Sequence, residues 1–339
     1  MSSPTIKDVA KLAGVSISTV SRVMNNSKPV SPEARRKVED AIKKLDFKPN
    51  ELARSLVRKS SNLIGVMVKD IGIPYIANII RGIEEVGRMY KYDILLTSTY
   101  GDLDEEKRIV EFLFTKQVEG IIFISEDIDK EVFIKIKNYN IPFLAYDKYD
   151  DFKGIDTVGI DHFEAAKEMT KYLIDEGHRN ILHVKELEMS KVGNDKYSGY
   201  KEALEKNNLI HFEITANDIS IDEGYNMGER INRIVESEDI TAIFFADDNL
   251  AIGYMNYCYD DGKRIPDYVS VVGFGDLRFS SIYRPTLTTI NEPYYDIGAV
   301  MMRRLIKTLK KEETPEGMTY LPYQLIKRDS IKNVIDYTK

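Results

Sequence analysis

Ile17, Ser18 and Arg22 fall on one side of a short amphipathic run, VSISTVSRVMN, whose Val20 and Val23 point the other way. Their chemistry is that of reading DNA base edges. The planar guanidinium of Arg22 offers two parallel donors matching O6 and N7 of guanine, a contact worth roughly 1–3 kcal/mol of discrimination. Ile17 can meet a thymine methyl, and Ser18, short and both donor and acceptor, reads weakly. Thr5, Ser16, Thr19, Ser21 and Asn25 suit phosphate contacts, which set register without carrying sequence information. Each of these small polar residues has an alternative use as an ordinary surface cap.

The residue types of enzymes are present without their spacing. His162, His178, His183 and His211 are scattered, with no metal-type spacing and no Ser or Cys partner nearby in sequence, which reads as structural or surface use. No GxxxxGK[ST] or GxGxxG string occurs, so nucleotide hydrolysis and dinucleotide chemistry lack support. The single cysteine, Cys258, lies in a helical pattern and reads as a buried, inert thiol. These observations point away from an enzyme and imply neither metal nor cofactor.

The elements that must position the base-reading residues are legible. Thr5 followed by Asp8 has the form of a capping box, and Ile6, Val9, Ala10 and Ala13 share one helical face. Gly14 makes a turn, and Ser16 caps the second helix, which runs to about Met24. Ser31 caps a third helix with Pro32 in its first turn; Val38, Ile42 and Leu45 close a small core, and Asp46-Phe47-Lys48-Pro49 ends it. Residues 1–48 thus read as a helix-turn-helix domain. In the hinge segment 49–60, which holds NELARSLVRKS, Asn50 is a cap and Leu52, Ala53 and Leu56 keep helical spacing, yet a helix this short is unstable alone. With Arg54, Arg58 and Lys59 alongside, it suits folding on a minor groove, Leu56 wedging between base steps; a plain interdomain linker is the alternative.

Charge agrees with a division of labour. Residues 1–60 hold 13 basic and 6 acidic side chains, whereas the whole chain carries a formal −7. A basic arm on an acidic body is the pattern of a polyanion-binding segment. No signal-peptide core and no apolar run near membrane length occurs, so the expectation is a cytoplasmic protein with no membrane partner.

From Asn62 onward, short apolar runs (NLIGVMV, DILLTST, GIIFIS, PFLAYD, then TVGID, NILHV, AIFFADD and SVVGFG) alternate with amphipathic helices. Such alternation implies parallel sheets covered on both faces, here in two lobes with a cleft between them. Ligands of open parallel sheets collect beyond the carboxyl ends of the strands. That rule points to Asp70, Tyr75, Tyr146, Asp147, Asp161, Asp247, Asp248 and the turn at Gly275 and Asp276.

Residues 4–58 resemble the DNA-binding arm of the LacI family of bacterial repressors, VSISTVSRVMN matching its recognition helix and KPNELARSL its hinge. ADDNLAIG, SVVGFGD and RPTLTTINEPYYDIGAVMMRRL extend the resemblance to the periplasmic-binding-protein-like core, so it covers nearly the whole chain. The implied fold class is a small all-α helix-turn-helix domain plus an α/β core of two doubly wound parallel-sheet lobes. By that analogy the N-lobe takes about 61–160 and 291–320, and the C-lobe about 161–290 and 321–339. The implied function is a homodimeric repressor binding a near-palindromic operator in double-stranded DNA. The absence of an apolar heptad repeat at the end of the chain argues against a tetramer-forming tail.

Control is less uniform. In sugar-responsive members of the family, an arginine in RxxGY and an aspartate in a GYD or GFD turn grip hydroxyls. Here those positions are Lys196, in KYSGY, and Gly275, in GFGD, which weakens the case for a tightly held free sugar. RGIEEVGRMYKYDILLTSTY, KQVEGIIFIS and PYYDIGAVMMRRL resemble the carbon-catabolite-control branch of the family in low-GC Gram-positive bacteria and clostridia. That resemblance implies serine-phosphorylated HPr as co-repressor, docked on the outer face of the N-lobe. Arg303 or Arg304, with Glu84, Glu85, Tyr295 and Asp296, would supply the phosphate grip and its surroundings, although arginines late in a helix also simply favour its negative end. Gln324 stands where the resemblance would have another arginine. A sugar or sugar phosphate in the cleft remains the other mode of control.

Overall fold

The computed structural model describes residues 4–25, 28–47, 61–125, 129–147, 154–187 and 190–335. They fall into two compact units, within 1–61 and within 62–339.

In the first unit, α1 (Ile6–Ala13), α2 (Ile17–Asn25) and α3 (Pro32–Leu45) enclose a core in which Val9, Val20 and Val38 are fully buried. Local chemistry sets each boundary. Asp8 accepts from the backbone of Thr5 at 2.8 Å, and the Thr5 hydroxyl donates to the same carboxylate at 2.7 Å. Gly14 ends α1 at φ 65°, a left-handed conformation that spares a glycine the Cβ clash. Ser16 Oγ accepts from the Thr19 amide at 3.2 Å, and Ser31 Oγ from the Ala34 amide at 3.3 Å.

The second unit holds two parallel sheets. The first contains β1 (Leu63–Val68), β2 (Asp93–Ser98), β3 (Gly120–Ile124), β4 (Phe143–Tyr146), β5 (Asp156–Gly159) and β11 (Met318–Tyr320), in the order β2-β1-β3-β4-β5-β11. The second contains β6 (Ile181–Glu186), β7 (His211–Ala216), β8 (Ala242–Phe245) and β9 (Ser270–Val272), ordered β7-β6-β8-β9. A small antiparallel pair, β10 (Thr289–Asn291) with β12 (Gln324–Ile326), lies among the connecting segments.

The strands read as near-continuous apolar runs because both faces are covered. In β1, Ile64, Val66 and Val68 join one core, while Met67 joins the other. The same alternation divides Ile243 and Phe245 from Ala242 and Phe244 in β8. Strand side chains point alternately to opposite faces, so one strand feeds two cores.

Helices α4 (Pro74–Met89), α5 (Leu103–Thr115), α6 (Lys130–Asn138) and α12 (Tyr294–Leu309) flank the N-lobe sheet. The C-lobe carries α7 (His162–Asp175), α8 (Lys191–Lys206), α9 (Ile221–Asn226), α10 (Gly228–Ser237) and α11 (Asp248–Asp260). Helices α4 and α12 touch backbone to backbone at two glycines. A Cβ on Gly82 would sit 2.1 Å from the Tyr295 carbonyl oxygen, and one on Gly298 2.0 Å from that of Ile79. The chain passes between the sheets at 160–161, 292–293 and 321–323.

Candidate nucleic-acid interface and interlobe cleft

Helix α2 turns Val20 and Val23 into the core and leaves Ile17, Ser18 and Arg22 exposed, Ile17 at 45 %. The base-reading candidates thus share the outward face of a helix whose back is fixed by apolar packing. Ser16 is exposed and bonds Ser18 Oγ at 2.8 Å and Thr19 Oγ1 at 2.9 Å, a hydroxyl cluster at the start of the helix. Thr5 is exposed, while Thr19 and Ser21 are half-buried. The side chain of Asn25 lies outside the described residues, as do all the hinge candidates, Asn50, Ala53, Arg54 and Leu56.

A cavity of about 440 Å³ lies between the lobes, beyond the carboxyl ends of β1, β3, β6 and β7. Lys69, Ile73, Tyr75 and Ser125 line it from one lobe, and Glu186, Leu187, Ser190 and Asn217–Ile219 from the other. Of the residues proposed from sequence for this cleft, Tyr75 alone lines the cavity. Its ring stacks on Tyr294 at 5.1 Å and tilts against Tyr146 at 6.0 Å.

Behind these rings lies a buried polar cluster. Glu292 accepts from the Tyr146 hydroxyl at 3.2 Å and from the Tyr294 hydroxyl at 3.0 Å. His162 Nε2 is 2.5 Å from Asp147 Oδ2 and 3.9 Å from Glu292. Burial works against a charged imidazole there, but the carboxylates of Asp147 and Glu292 outweigh it and raise the His162 pKa. Burial, with the charge of Glu292, pushes the hydroxyls of Tyr146 and Tyr294 well above their ordinary range. Sequence reasoning passed over His162 and Glu292 as site residues. The signal was present in their position: both stand where the chain passes from one lobe to the other.

The remaining cleft candidates are occupied by the protein itself. Asp248 is fully buried, accepting from the Leu277 amide at 2.8 Å, Ser280 Oγ at 2.6 Å and Thr289 Oγ1 at 2.6 Å. It ties α11 to the segments that lead out of the C-lobe rather than presenting a carboxylate to a ligand. Asp276 pairs with Arg328 at 2.6 Å and accepts from Asn291 at 3.1 Å, bracing the same connections. Asp161 caps α7 through the Glu164 amide at 3.0 Å, and Asp70 accepts from the Gly72 amide at 2.8 Å within its own loop.

Lys196 is buried, donating to the Ala246 carbonyl at 3.2 Å, with its ammonium 4.2 Å from the centre of the Phe274 ring. Asp247 caps α11 through the Asn249 amide at 2.7 Å. Burial, reinforced by the charge of Asp248, pushes its carboxyl up to about 8. That of Asp248 rises to about 6, burial again outweighing its three donors. Gly275 adopts φ 123°, accessible to glycine and strained for other residues.

The other histidines are structural or exposed. His178 bonds Thr241 Oγ1 at 2.9 Å, and burial depresses it to about 4. His183 lies stacked on Tyr200 at 4.9 Å and is depressed to about 3, while His211 is exposed. Cys258 is fully buried, and burial raises its thiol to about 11.

On the outer face of the N-lobe, Glu84, Tyr295, Asp296 and Arg303 are exposed and Glu85 is half-buried. Arg88 pairs with Glu84. Glu85 receives Arg81 at 3.2 Å and the Tyr295 hydroxyl at 2.5 Å. Arg304 points inward instead. It is 5 % exposed and donates to Thr157 O, Thr319 Oγ1 and Pro315 O, with Asp156 at 3.2 Å. The expectation that Arg303 or Arg304 supplies a phosphate grip is thereby corrected for Arg304: adjacent residues on a helix lie about 100° apart, and of the two only Arg303 reaches the surface.

Comparison with known proteins agrees with both units. Residues 5–50 match the model of bacterial regulatory proteins of the lacI family, and residues 170–331 that of a periplasmic binding protein-like domain. The chain is 36% identical to catabolite control protein A of Priestia megaterium, over 97% of this chain and 99% of that protein. It is 39% identical to the HTH-type transcriptional regulator RegA of Clostridium acetobutylicum, again over 97% and 99%. Among solved structures, the lac repressor dimer bound to operator and an anti-inducer superposes with a TM-score of 0.87 at 28% identity, covering 97% of this chain and 99% of that one.

Proposed function

The chain belongs to the LacI family of bacterial regulatory proteins, and from that premise we propose that it represses genes of carbon or carbohydrate use by binding a near-palindromic operator as a homodimer. The observation that carries this reading is the exposed Ile17, Ser18 and Arg22 on a helix anchored by Val20 and Val23. Arg22 reads guanine, Ile17 and Ser18 refine the choice, and Thr5, Ser16, Thr19, Ser21 and Asn25 hold phosphates. Paired Leu56 side chains kink the operator from the minor groove, with Asn50, Ala53 and Arg54 alongside.

Two-fold symmetry of the protein imposes two-fold symmetry on the site. Support for a dimer comes from exposed apolar side chains on neighbouring C-lobe elements, among them Tyr225, Tyr259, Phe279 and Ile282. Mobility-shift titration against a genomic fragment library tests the reading. Sequence-selective retention at moderate salt is the expected result; uniform, salt-sensitive binding to all fragments would overturn it.

Control by serine-phosphorylated HPr rests on the exposed Arg303, on the helix that also carries Tyr295 and Asp296 and packs against the helix of Glu84 and Glu85, and on the likeness to catabolite control protein A. A second mode, a sugar or sugar phosphate acting between the lobes, is favoured by the cavity of about 440 Å³ at the strand ends, a volume suited to a small molecule. Either ligand acts by shifting the relative pose of the lobes and so the spacing of the hinge segments.

A further inference from the structure

His162 and Asp147 belong to different lobes. Asp147 follows β4 of the N-lobe sheet, whereas His162 opens α7 of the C-lobe. Their side chains, each 2 % exposed, meet at 2.5 Å across the junction. We propose that this contact is a proton-dependent latch: a charged His162 holds the lobes in the pose described above, and loss of its proton releases them.

The charges around the imidazole make its protonation state decisive. From the N-lobe side it faces Asp147; from the connecting segment, Glu292 at 3.9 Å; from α8, the ammonium of Lys196, which works against its charge. The Phe274 ring, 5.7 Å away, is uncharged, and the neighbouring Asp161 is spent capping α7. The hydroxyls of Tyr146 and Tyr294 bond Glu292 and leave its charge in place. When His162 is neutral, two buried carboxylates face one another without the imidazolium between them, and like charges in a buried site repel strongly. Parting the lobes admits water and relieves that repulsion.

The latch is incompletely bonded in a way that suits release. Asp147 Oδ1 and His162 Nδ1 are buried without hydrogen-bond partners among the described residues. A buried ion pair with unmet valences gains little over its desolvation cost, so removing one charge shifts the balance. The raised pKa of His162 sets the direction: the contact is fully formed below pH 6.5 and is lost as pH rises through the folded-state value.

The interlobe measurement stands without the DNA reading; only the consequence for operator affinity rests on it. Cysteines introduced at the exposed Ile71 and Asp222, one on each lobe, would carry a distance-reporting label pair, since Cys258 is buried with a raised thiol pKa. In full-length protein the interlabel distance should lengthen as pH rises, with the midpoint of the His162 Cε1 proton titration followed by NMR. His162→Gln should lack this component; any residual response belongs to Asp247 and Asp248, which titrate in a neighbouring range. Asp147→Asn, nearly isosteric, should lower the His162 midpoint. A distance that ignores pH in the wild type, the same pH curve in His162→Gln, or a midpoint unchanged in Asp147→Asn would each overturn the latch. Failure to select DNA would leave all three readouts intact and would count against the regulator reading alone.

Discussion

Arg304 Nη1 donates to the carbonyl of Thr157 at 2.8 Å, tying α12 to the β5 strand of the N-lobe sheet. The same guanidinium reaches Thr319 and Pro315 on the returning segment and lies beside Asp156. One side chain therefore fastens a helix to two neighbouring strands near the sheet edge, and its neighbour Arg303 is left to the outside.

Arg304→Ala should destabilise the core by about 3 kcal/mol or more, because several buried acceptors lose their donor at once. Arg303→Ala should leave stability within about 0.5 kcal/mol. Urea unfolding separates the two. Calorimetric titration with HPr, phosphorylated on serine or plain, then isolates recognition: Arg303→Ala should lose the preference for the phosphorylated carrier, and equal wild-type affinity for both forms would remove the phosphate grip.

Arg22→Ala should relax specificity at one guanine position per half-site, at a cost of roughly 1–3 kcal/mol. Ser21→Ala should weaken binding to all sequences alike, since a phosphate contact carries no base information. Competition binding against operators mutated one base pair at a time checks the contrast; identical profiles for the two variants would contradict the assignment.

Leu56→Ala should reduce the bend of the bound operator, measured by gel phasing, while Arg22 contacts persist. The wedge offsets unstacking by widening the contact surface, so affinity should fall along with curvature. An unchanged bend removes Leu56 from the model.

Asp247 begins from an ordinary value of 3.8 and is raised to about 8 in the folded protein. A raised folded-state value means that stability is highest in acid and is lost as pH rises from about 4 through about 8. Asp247→Asn keeps the helix cap and removes the titration. The variant should match the wild type near pH 4 and exceed it by at least about 1 kcal/mol at pH 8, the worth of one pKa unit. Melting curves across that range decide the matter, and parallel pH profiles would show that the carboxyl is already ionised.

The helix-turn-helix elements and the two-lobed alternation were legible from sequence because their signals are local. Capping residues act within three or four positions, as at Ser16 and Ser31, and apolar periodicity is a property of a single helix or strand. Arg22, Ile17 and Ser18 could be placed outward for the same reason: facing Val20 and Val23 away from them needs only the helical repeat. The strand-end rule likewise located the cleft, because the carboxyl end of each strand can be read from its apolar run.

Which polar residues face that cleft was decided only in three dimensions. Asp248 finds Thr289 41 positions away, Asp276 finds Arg328 52 positions away, and Arg304 finds Thr157 147 positions away. A carboxylate at a strand end looks the same in sequence whether it awaits a ligand or braces a connection, since the difference lies in partners that chain folding brings to it. His162 shows the converse: unremarkable between Asp161 and Phe163, it acquires a charge and a role from Asp147 and Glu292, which reach it only when the chain crosses between the lobes. Short-range order follows from the spacing of residue types along the chain, whereas electrostatic identity follows from burial and long-range neighbours, and those exist only in the folded protein.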